Sequence, residues 1–176
     1  MGATIRVGYD CLKKKLPEID GDSTVVFEYG GNDSDYNWAK VTADPDGVHH
    51  PNTDEEEFVD IYSEMLDEAS RTGARIFMTT LVPINADNYM KHLSRYYDHD
   101  ILLDWLGDVS MLYRWQEHYS ALTEKISALK KIKLIDIRAP FLLSHQFRSL
   151  LCSDGIHPTE RGHGMIKSII RKAVTA

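Results

Sequence analysis

Short runs of β-branched and other apolar residues alternate with longer segments of helical periodicity along this chain. Parallel strands need a long crossover between them, and this is usually a helix. The order strand, helix, strand, helix, strand therefore predicts a mostly parallel sheet with helices on both faces. We expect strands in residues 4–7, 24–29, 74–81 and 132–137.

The segments between and after these runs show apolar residues at helical spacing. Thr53 or Asp54 is expected to cap a helix that ends at Gly73. Residues 34–52 form a polar loop rich in Asp, Gly and Pro, long enough to be a functional insertion. We expect the remaining helices in residues 9–16, 86–97, 101–131, 139–151 and 159–174.

The composition favours one compact domain over residues 1–176. With 43% hydrophobic and 27% charged residues, the chain can bury one core but is too short for two ordinary domains. A formal net charge of −7 argues against a nucleic-acid partner or an anionic membrane surface. No run approaches the ~18 apolar residues of a membrane span. The two cysteines form no disulfide framework, so a cytoplasmic location is the expectation.

Two polar motifs carry residues suited to acyl transfer. The run ending at Tyr29 stops at Gly30-Gly31-Asn32-Asp33, which places an amide donor at the end of a strand, and such a donor suits an oxyanion. Near the other end of the chain, Asp154 precedes His157 by three residues, on a loop that opens a helix. A carboxylate there can fix the tautomer of the imidazole and stabilise the imidazolium that forms in turnover.

Together, Gly30-x-Asn32-Asp33 and Asp154-x-x-His157-Pro158 resemble the third and fifth sequence blocks of the SGNH (GDSL-type) hydrolases. The resemblance covers nearly the whole chain. It implies a three-layer α/β/α sandwich with flavodoxin-like topology, and hydrolysis of acyl or carbohydrate esters through a Ser-bound acyl-enzyme, with no metal or cofactor. It makes His157 the general base and then acid, Asp154 its orienting carboxylate, and Asn32 a donor to the oxyanion.

Gly21-Asp22-Ser23 matches the tripeptide that carries the nucleophile in this family, but its position differs. The family's tripeptide follows the first strand, whereas Ser23 precedes the strand that ends near Asn32. Nine residues of extended chain span roughly 25 to 30 Å, and a nucleophile must lie about 3 Å from its base. We therefore interpret Ser23 as a turn residue.

Residues 2–8 resemble the segment around the family's second block, which makes Gly2 the candidate for a second oxyanion amide. The family's first strand and nucleophile turn then have no counterpart in residues 1–176. Two alternatives stay open: an N-terminally shortened hydrolase, and a non-catalytic protein of the same fold that binds an acyl or sugar ligand. Exposed strand edges recruit partners, so we expect a homodimer or an exchanged element unless the strands in residues 4–7 and 24–29 pair directly.

Substrate contacts are expected around and after Asn32, from Gly31, Asp33, Tyr36 and Trp38. Specificity would be built in residues 34–52 and 83–104, which follow strands. Each motif residue also has a structural interpretation, because Asn32 can satisfy a turn and Asp33 can cap a helix. A Cys152–His157 pair is disfavoured, because a side chain two residues before Asp154 should point away from the reacting nitrogen.

Overall fold

A three-stranded parallel sheet forms the centre of the computed structural model, which describes residues 2–175. The strands are β1 (Thr24–Phe27), β2 (Arg75–Thr79) and β3 (Lys133–Ile135), in the order β1-β2-β3. Val26 lies opposite Phe77, and Met78 lies opposite Leu134. Because all three strands run the same way, their carboxyl ends meet at one edge of the sheet, as the alternation in the sequence predicts.

Nine α-helices surround the sheet within residues 2–175, and several differ from the predicted segments. A short helix occurs inside the 34–52 loop, residues 86–131 divide into three helices, and residues 139–151 contain two short ones. The helices are α1 (Ile5–Lys15), α2 (Trp38–Ala43), α3 (Glu55–Arg71), α4 (Ala86–Leu93), α5 (His99–Leu106), α6 (Ser110–Lys130), α7 (Arg138–Leu142), α8 (Phe147–Leu150) and α9 (Glu160–Thr175).

Helices cover both faces of the sheet, which gives the three-layer α/β/α architecture. On one face, Ile5 of α1, Tyr62 of α3 and Ile126 of α6 pack in one cluster with Phe27 and Met78 of the strands. On the other face, α7, α8 and α9 pack against Val26, Phe77 and Ile135. A third cluster joins α2, α4, α5 and the start of α6. None of the helices in residues 2–175 combines the length and apolar character needed to cross a membrane.

The predicted strand in residues 4–7 is wrong, because α1 begins at Ile5. Ile5, Gly8 and Leu12 are buried at helical spacing on the side of α1 that faces the core, whereas Val7 is 51% exposed. The first N–H of the helix donates to the carboxylate of Asp33 at 2.8 Å, which satisfies a group that the helix itself leaves unpaired. Residues 4–7 therefore do not pair with β1.

Candidate active site

A cavity of about 600 Å³ opens beyond the carboxyl ends of β1 and β2. Residues 28–32 follow β1 and form one wall, and Leu81 and Val82 follow β2. Trp115 and Gln116 of α6 and residues 156–158 close the other sides. Parallel α/β sheets place ligand sites at this edge.

An imidazole and a carboxylate are paired at the cavity wall. Nδ1 of His157 lies 2.8 Å from Oδ2 of Asp154. The other oxygen of Asp154 accepts the N–H groups of Ile156 at 3.0 Å and of His157 at 3.1 Å. Partial burial alone would raise the pKa of Asp154, but these hydrogen bonds and the ring outweigh it and hold that pKa below its usual range. The ionised carboxylate therefore favours a proton on Nδ1 and leaves the lone pair of Nε2 able to accept a hydrogen bond or a proton.

The loop that carries this pair is fixed by backbone contacts. The N–H of Cys152 donates to the carbonyl of His157 at 2.7 Å, and Gly155 accepts the N–H of Asn85 at 2.8 Å. Gly155 has a φ of +81°, and a Cβ there would lie 2.5 Å from the carbonyl oxygen of Asn85 and 2.7 Å from the nitrogen of Tyr89. Only glycine fits this left-handed position against α4.

The amide of Asn32 and the backbone of Gly2 lie side by side. A Cβ on Gly2 would overlap the side-chain amide of Asn32, so the two residues are in direct contact. Nδ2 of Asn32 also reaches the carbonyl of Ala3 at 3.4 Å. Gly31 and Asn32 line the same cavity as His157, and a Cβ on Gly31 would meet open space. The structure thus brings Gly31 and Asn32 to the cavity that His157 borders, while Gly2 contacts Asn32 but does not itself line the cavity.

Asp33 takes a different place from the one expected for a substrate contact. Its carboxylate is fully buried and does not line the cavity. Oδ1 accepts from the N–H of Ile5 at 2.8 Å and from the hydroxyl of Thr53 at 2.7 Å, while Oδ2 has no hydrogen-bond partner among residues 2–175. Burial raises the pKa of Asp33 despite these bonds. Its role is to hold the start of α1, and thereby Gly2, against the loop after β1.

Tyr36 and Trp38 also differ from expectation, because neither lines the cavity. Trp38 is 5% exposed, and its Nε1 donates to the carboxylate of Asp35 at 2.9 Å and lies 3.1 Å from the Tyr89 hydroxyl. The ring of Tyr36 packs on Trp115, with centroids 4.5 Å apart. Both aromatics build the third cluster, which supports the cavity from outside.

Sequence reasoning missed several groups that do line the cavity. The aromatic lining comes from Tyr29, Tyr89 and Trp115. Two carboxylates, Glu28 and Asp35, also border it, and burial raises the pKa of each. Glu28 could have been found as the charged residue within the otherwise mostly apolar run of residues 24–29. Asp35 and Tyr89 carry no local signal, because their hydrogen bond at 2.6 Å joins distant parts of the chain.

Buried hydrogen bonds fix the opposite wall of the cavity. Nε2 of Gln116 donates to the carbonyl of Val82 at 2.6 Å. The guanidinium of Arg138, 5% exposed, donates to Gln116 at 2.8 Å and to the carbonyl of Leu81 at 3.2 Å. It also pairs with Glu117. These hydrogen bonds hold the residues after β2 in place, although Nε of Arg138 has no hydrogen-bond partner among residues 2–175.

Ser23 lies at the opposite end of the sheet from this cavity. Its hydroxyl donates to Asp20 at 2.9 Å, and its carbonyl accepts the N–H of Arg75 at the amino end of β2. Among residues 2–175, Ser34 is the one Ser, Thr or Cys that lines the cavity. Its hydroxyl donates to the carbonyl of Gly31 at 3.0 Å. Ser23 is a turn residue, and the hydroxyl of Ser34 is engaged within its own loop.

The fold and the cavity define a three-layer α/β/α protein with a His–Asp pair and an amide donor at the carboxyl edge of a parallel sheet. The model of the GDSL-like lipase/acylhydrolase family matches residues 2–165. The chain therefore belongs to this family. No curated protein sequence gives a significant match.

Solved structures share the fold at low sequence identity. The lipase/acylhydrolase from Enterococcus faecalis matches with a TM-score of 0.66 and 13% identity, over 98% of this chain and 70% of that one. A GDSL-like lipase from Bacteroides thetaiotaomicron gives 0.66 and 15%, over 98% and 71%. An acetylxylan esterase from Geobacillus stearothermophilus, a catalytic mutant, gives 0.67 and 14%, over 97% and 67%.

Proposed function

We propose that residues 2–175 carry the acid–base and oxyanion half of an ester-hydrolase site. The observation that supports this most directly is the 2.8 Å pair of His157 and Asp154 on the same cavity as Asn32. Each group has a separate task in acyl transfer: a base, a carboxylate that orients it, and a donor to the oxyanion. The family assignment points to the same reaction class.

In the proposed reaction, the ester carbonyl lies with its oxygen toward the Asn32 amide and the backbone N–H of Gly2. Nε2 of His157 removes the proton from the attacking hydroxyl, a serine hydroxyl that residues 2–175 do not supply, as the new C–O bond forms. The tetrahedral oxyanion is held by the amide donors, and His157 returns the proton to the leaving alcohol oxygen as the ester C–O bond breaks. The same groups then serve the attack of water on the acyl-enzyme.

The substrate proposed is an ester of a small acyl group or of a carbohydrate. The acetylxylan esterase among the similar structures fits a carbohydrate ester, and Asp35 with Tyr89 gives the cavity one polar corner suited to a hydroxyl. The remaining lining combines apolar residues, such as Leu81, Val82 and Trp115, with polar ones, such as Glu28 and Gln116. Such a mixture of apolar surface and few polar groups is typical of small-molecule sites.

A second candidate function is ligand binding without turnover. It is favoured by the engagement of the Ser34 hydroxyl with Gly31, because a nucleophile needs a free hydroxyl within reach of its base. In this case the cavity would bind an acyl or sugar ligand, and His157 would act only as a polar contact.

Hydrolysis of p-nitrophenyl acetate by the purified chain separates the two functions. We expect slow turnover, because a site with a base and an oxyanion donor, but with no free nucleophile among residues 2–175, retains modest catalysis. His157→Ala and Asn32→Ala should each lower this residual rate at least about tenfold. His145→Ala is the matched control, since this histidine is exposed and does not line the cavity.

A residual rate equal in His157→Ala and His145→Ala would refute the catalytic proposal and favour ligand binding. Ser34→Ala should leave the rate within about twofold if its hydroxyl is not the nucleophile. Fast turnover that Ser23→Ala abolishes in a folded protein would contradict the placement of Ser23 at the wrong end of the sheet.

A further inference from the structure

One carboxylate at the cavity is held in place by aromatic side chains. Oδ1 of Asp35 accepts the indole N–H of Trp38 at 2.9 Å, and Oδ2 accepts the hydroxyl of Tyr89 at 2.6 Å. Trp38 and Tyr89 are 5% and 6% exposed, so the packing of the third cluster fixes both donors. Each carboxylate oxygen can accept a second hydrogen bond. Because Asp35 lines the cavity, a ligand there can use this remaining capacity.

The charge of Asp35 has no basic partner within residues 2–175. Burial raises the pKa of Asp35, and the groups that oppose this shift are all neutral: the hydroxyl of Tyr89, the backbone N–H of Tyr36 and the indole of Trp38. Removing a carboxylate from water is costly unless an opposite charge or hydrogen bonds replace the water. A cation in the cavity would supply the opposite charge that these residues do not.

The rest of the cavity carries charge of the same sign. Among residues 2–175, the lining contains two carboxylates, Glu28 and Asp35, but no Lys or Arg. Its two histidines are His157, which pairs with Asp154, and His163. A cleft lined by acidic groups attracts positive charge, and its low-dielectric walls strengthen the attraction. The cavity is therefore better suited to a cationic ligand than to an anionic one.

Apolar side chains of the third cluster line the cavity together with Asp35. They come from the loop after β2, from α6 and from the loop before His157: Ile84, Leu112, Trp115 and Ile156. Such a surface can bury an alkyl chain, and the charged end of that chain would then need a partner. Asp35 is the carboxylate within this cluster that can serve as the partner.

We propose that Asp35 forms a subsite for a protonated amine, carried on an alkyl part of the ester substrate. An ammonium group brings three donors and a positive charge, whereas a hydroxyl brings one donor and no charge. Hydrogen bonds between two charged groups are the stronger ones. The inference rests on the proposed function for the position of the ester, but amine binding at Asp35 can be measured without hydrolysis.

Binding of matched acetamides tests this inference, because an acetamide has the shape of an acetate ester but is far less reactive. The probes carry an acetamide at one end of an alkyl chain of two to six carbons, and an amine, a hydroxyl or a methyl group at the other end. The amine is protonated at pH 7. Isothermal titration calorimetry at the best chain length should show the amine binding at least about tenfold more tightly than the other two.

The indole N–H signal of Trp38 in NMR spectra reports where the amine binds, because this group donates to Asp35. The amine should shift this signal more than that of Trp105, which does not line the cavity. Asp35→Asn removes the charge but keeps the shape and an acceptor oxygen, so it should abolish the preference for the amine over the hydroxyl probe. Glu28→Gln, which removes the other carboxylate of the lining, should retain the preference.

Two results would overturn the inference. The first is equal affinity of the amine and hydroxyl probes for the unsubstituted chain, which needs no variant to fold. The second is a preference for the amine that Glu28→Gln abolishes and Asp35→Asn retains. Since none of these measurements uses turnover, a chain that binds the amine at Asp35 but hydrolyses no ester would contradict the proposed function and leave the amine subsite standing.

Discussion

Gly155→Ala should destabilise the native state far more than Gly73→Ala, although the two glycines have nearly the same backbone torsion. The φ angles are +81° for Gly155 and +80° for Gly73. An L residue in this region costs about 1–2 kcal/mol. Alanine also lowers the conformational entropy of the unfolded chain, which raises the unfolding free energy by about 0.4–1 kcal/mol. The shared backbone effect is therefore about 1 kcal/mol of lost unfolding free energy at either position.

The surroundings of the two glycines separate them. A Cβ on Gly73 would lie 3.6 Å from the nearest atom, the Cα of Gly21, which is an ordinary contact. A Cβ on Gly155 would lie 2.5 Å from the oxygen of Asn85 and 2.7 Å from the nitrogen of Tyr89. Both are backbone atoms at the start of α4 and cannot rotate away, so the loop must move, at a cost of about 1–3 kcal/mol. The total for Gly155→Ala is about 2–4 kcal/mol.

Urea unfolding of the two variants and the unsubstituted protein measures this difference, with equal m values as the check that both remain two-state. The residual hydrolysis rate gives a second readout, because displacement of the loop moves His157 in Gly155→Ala and not in Gly73→Ala. Equal losses of unfolding free energy in the two variants would refute the steric argument and leave only the torsional cost.

Two further substitutions test the loop after β1. Gly2→Ala should push aside the flexible Asn32 side chain, and the unfolding free energy should change by less than about 0.5 kcal/mol. The residual hydrolysis rate should fall as far as it does in Asn32→Ala. An unchanged rate would exclude Gly2 from the site. Burial raises the pKa of Asp33, so the folded state holds its proton more tightly than the unfolded chain does, and native stability should fall as pH rises from about 3.9 through the folded pKa. Urea unfolding across this range should show the fall, and Asp33→Asn should flatten it.

The sheet was predictable because parallel strands and their crossover helices produce a clear sequence pattern, in which short apolar runs alternate with longer segments of helical periodicity. Each of the runs at 24–29, 74–81 and 132–137 contains an observed strand. The strand predicted in residues 4–7 was wrong because so short a segment, with apolar residues only at Ile5 and Val7, fits either a helix or a strand. The deciding contact is the hydrogen bond from Ile5 to Asp33, which lies 28 residues away and has no local signature.

The positions of the candidate site residues were predictable where they depend on strand ends and fixed spacing. Asn32 follows β1, and Asp154 and His157 are held by the spacing within their own loop, so motif reasoning alone could place them. Tyr36 and Trp38 were misplaced because the direction of a loop aromatic depends on its distant partners. Trp38 reaches Tyr89, 51 residues away, and this contact turns its ring away from the cavity.

The turn after β1 combines chemistry and stability in adjacent residues. Gly31 and Asn32 face the cavity, whereas Asp33 is buried against α1. A buried carboxylate with one oxygen unpaired within residues 2–175 is costly for folding, yet it anchors the first N–H of α1 and so sets the place of Gly2. Because Gly2 in turn contacts the Asn32 amide, we expect Asp33 to position the proposed oxyanion donors without touching a substrate. In the proposed reaction, neighbouring residues of one motif would therefore contribute from opposite sides of the backbone.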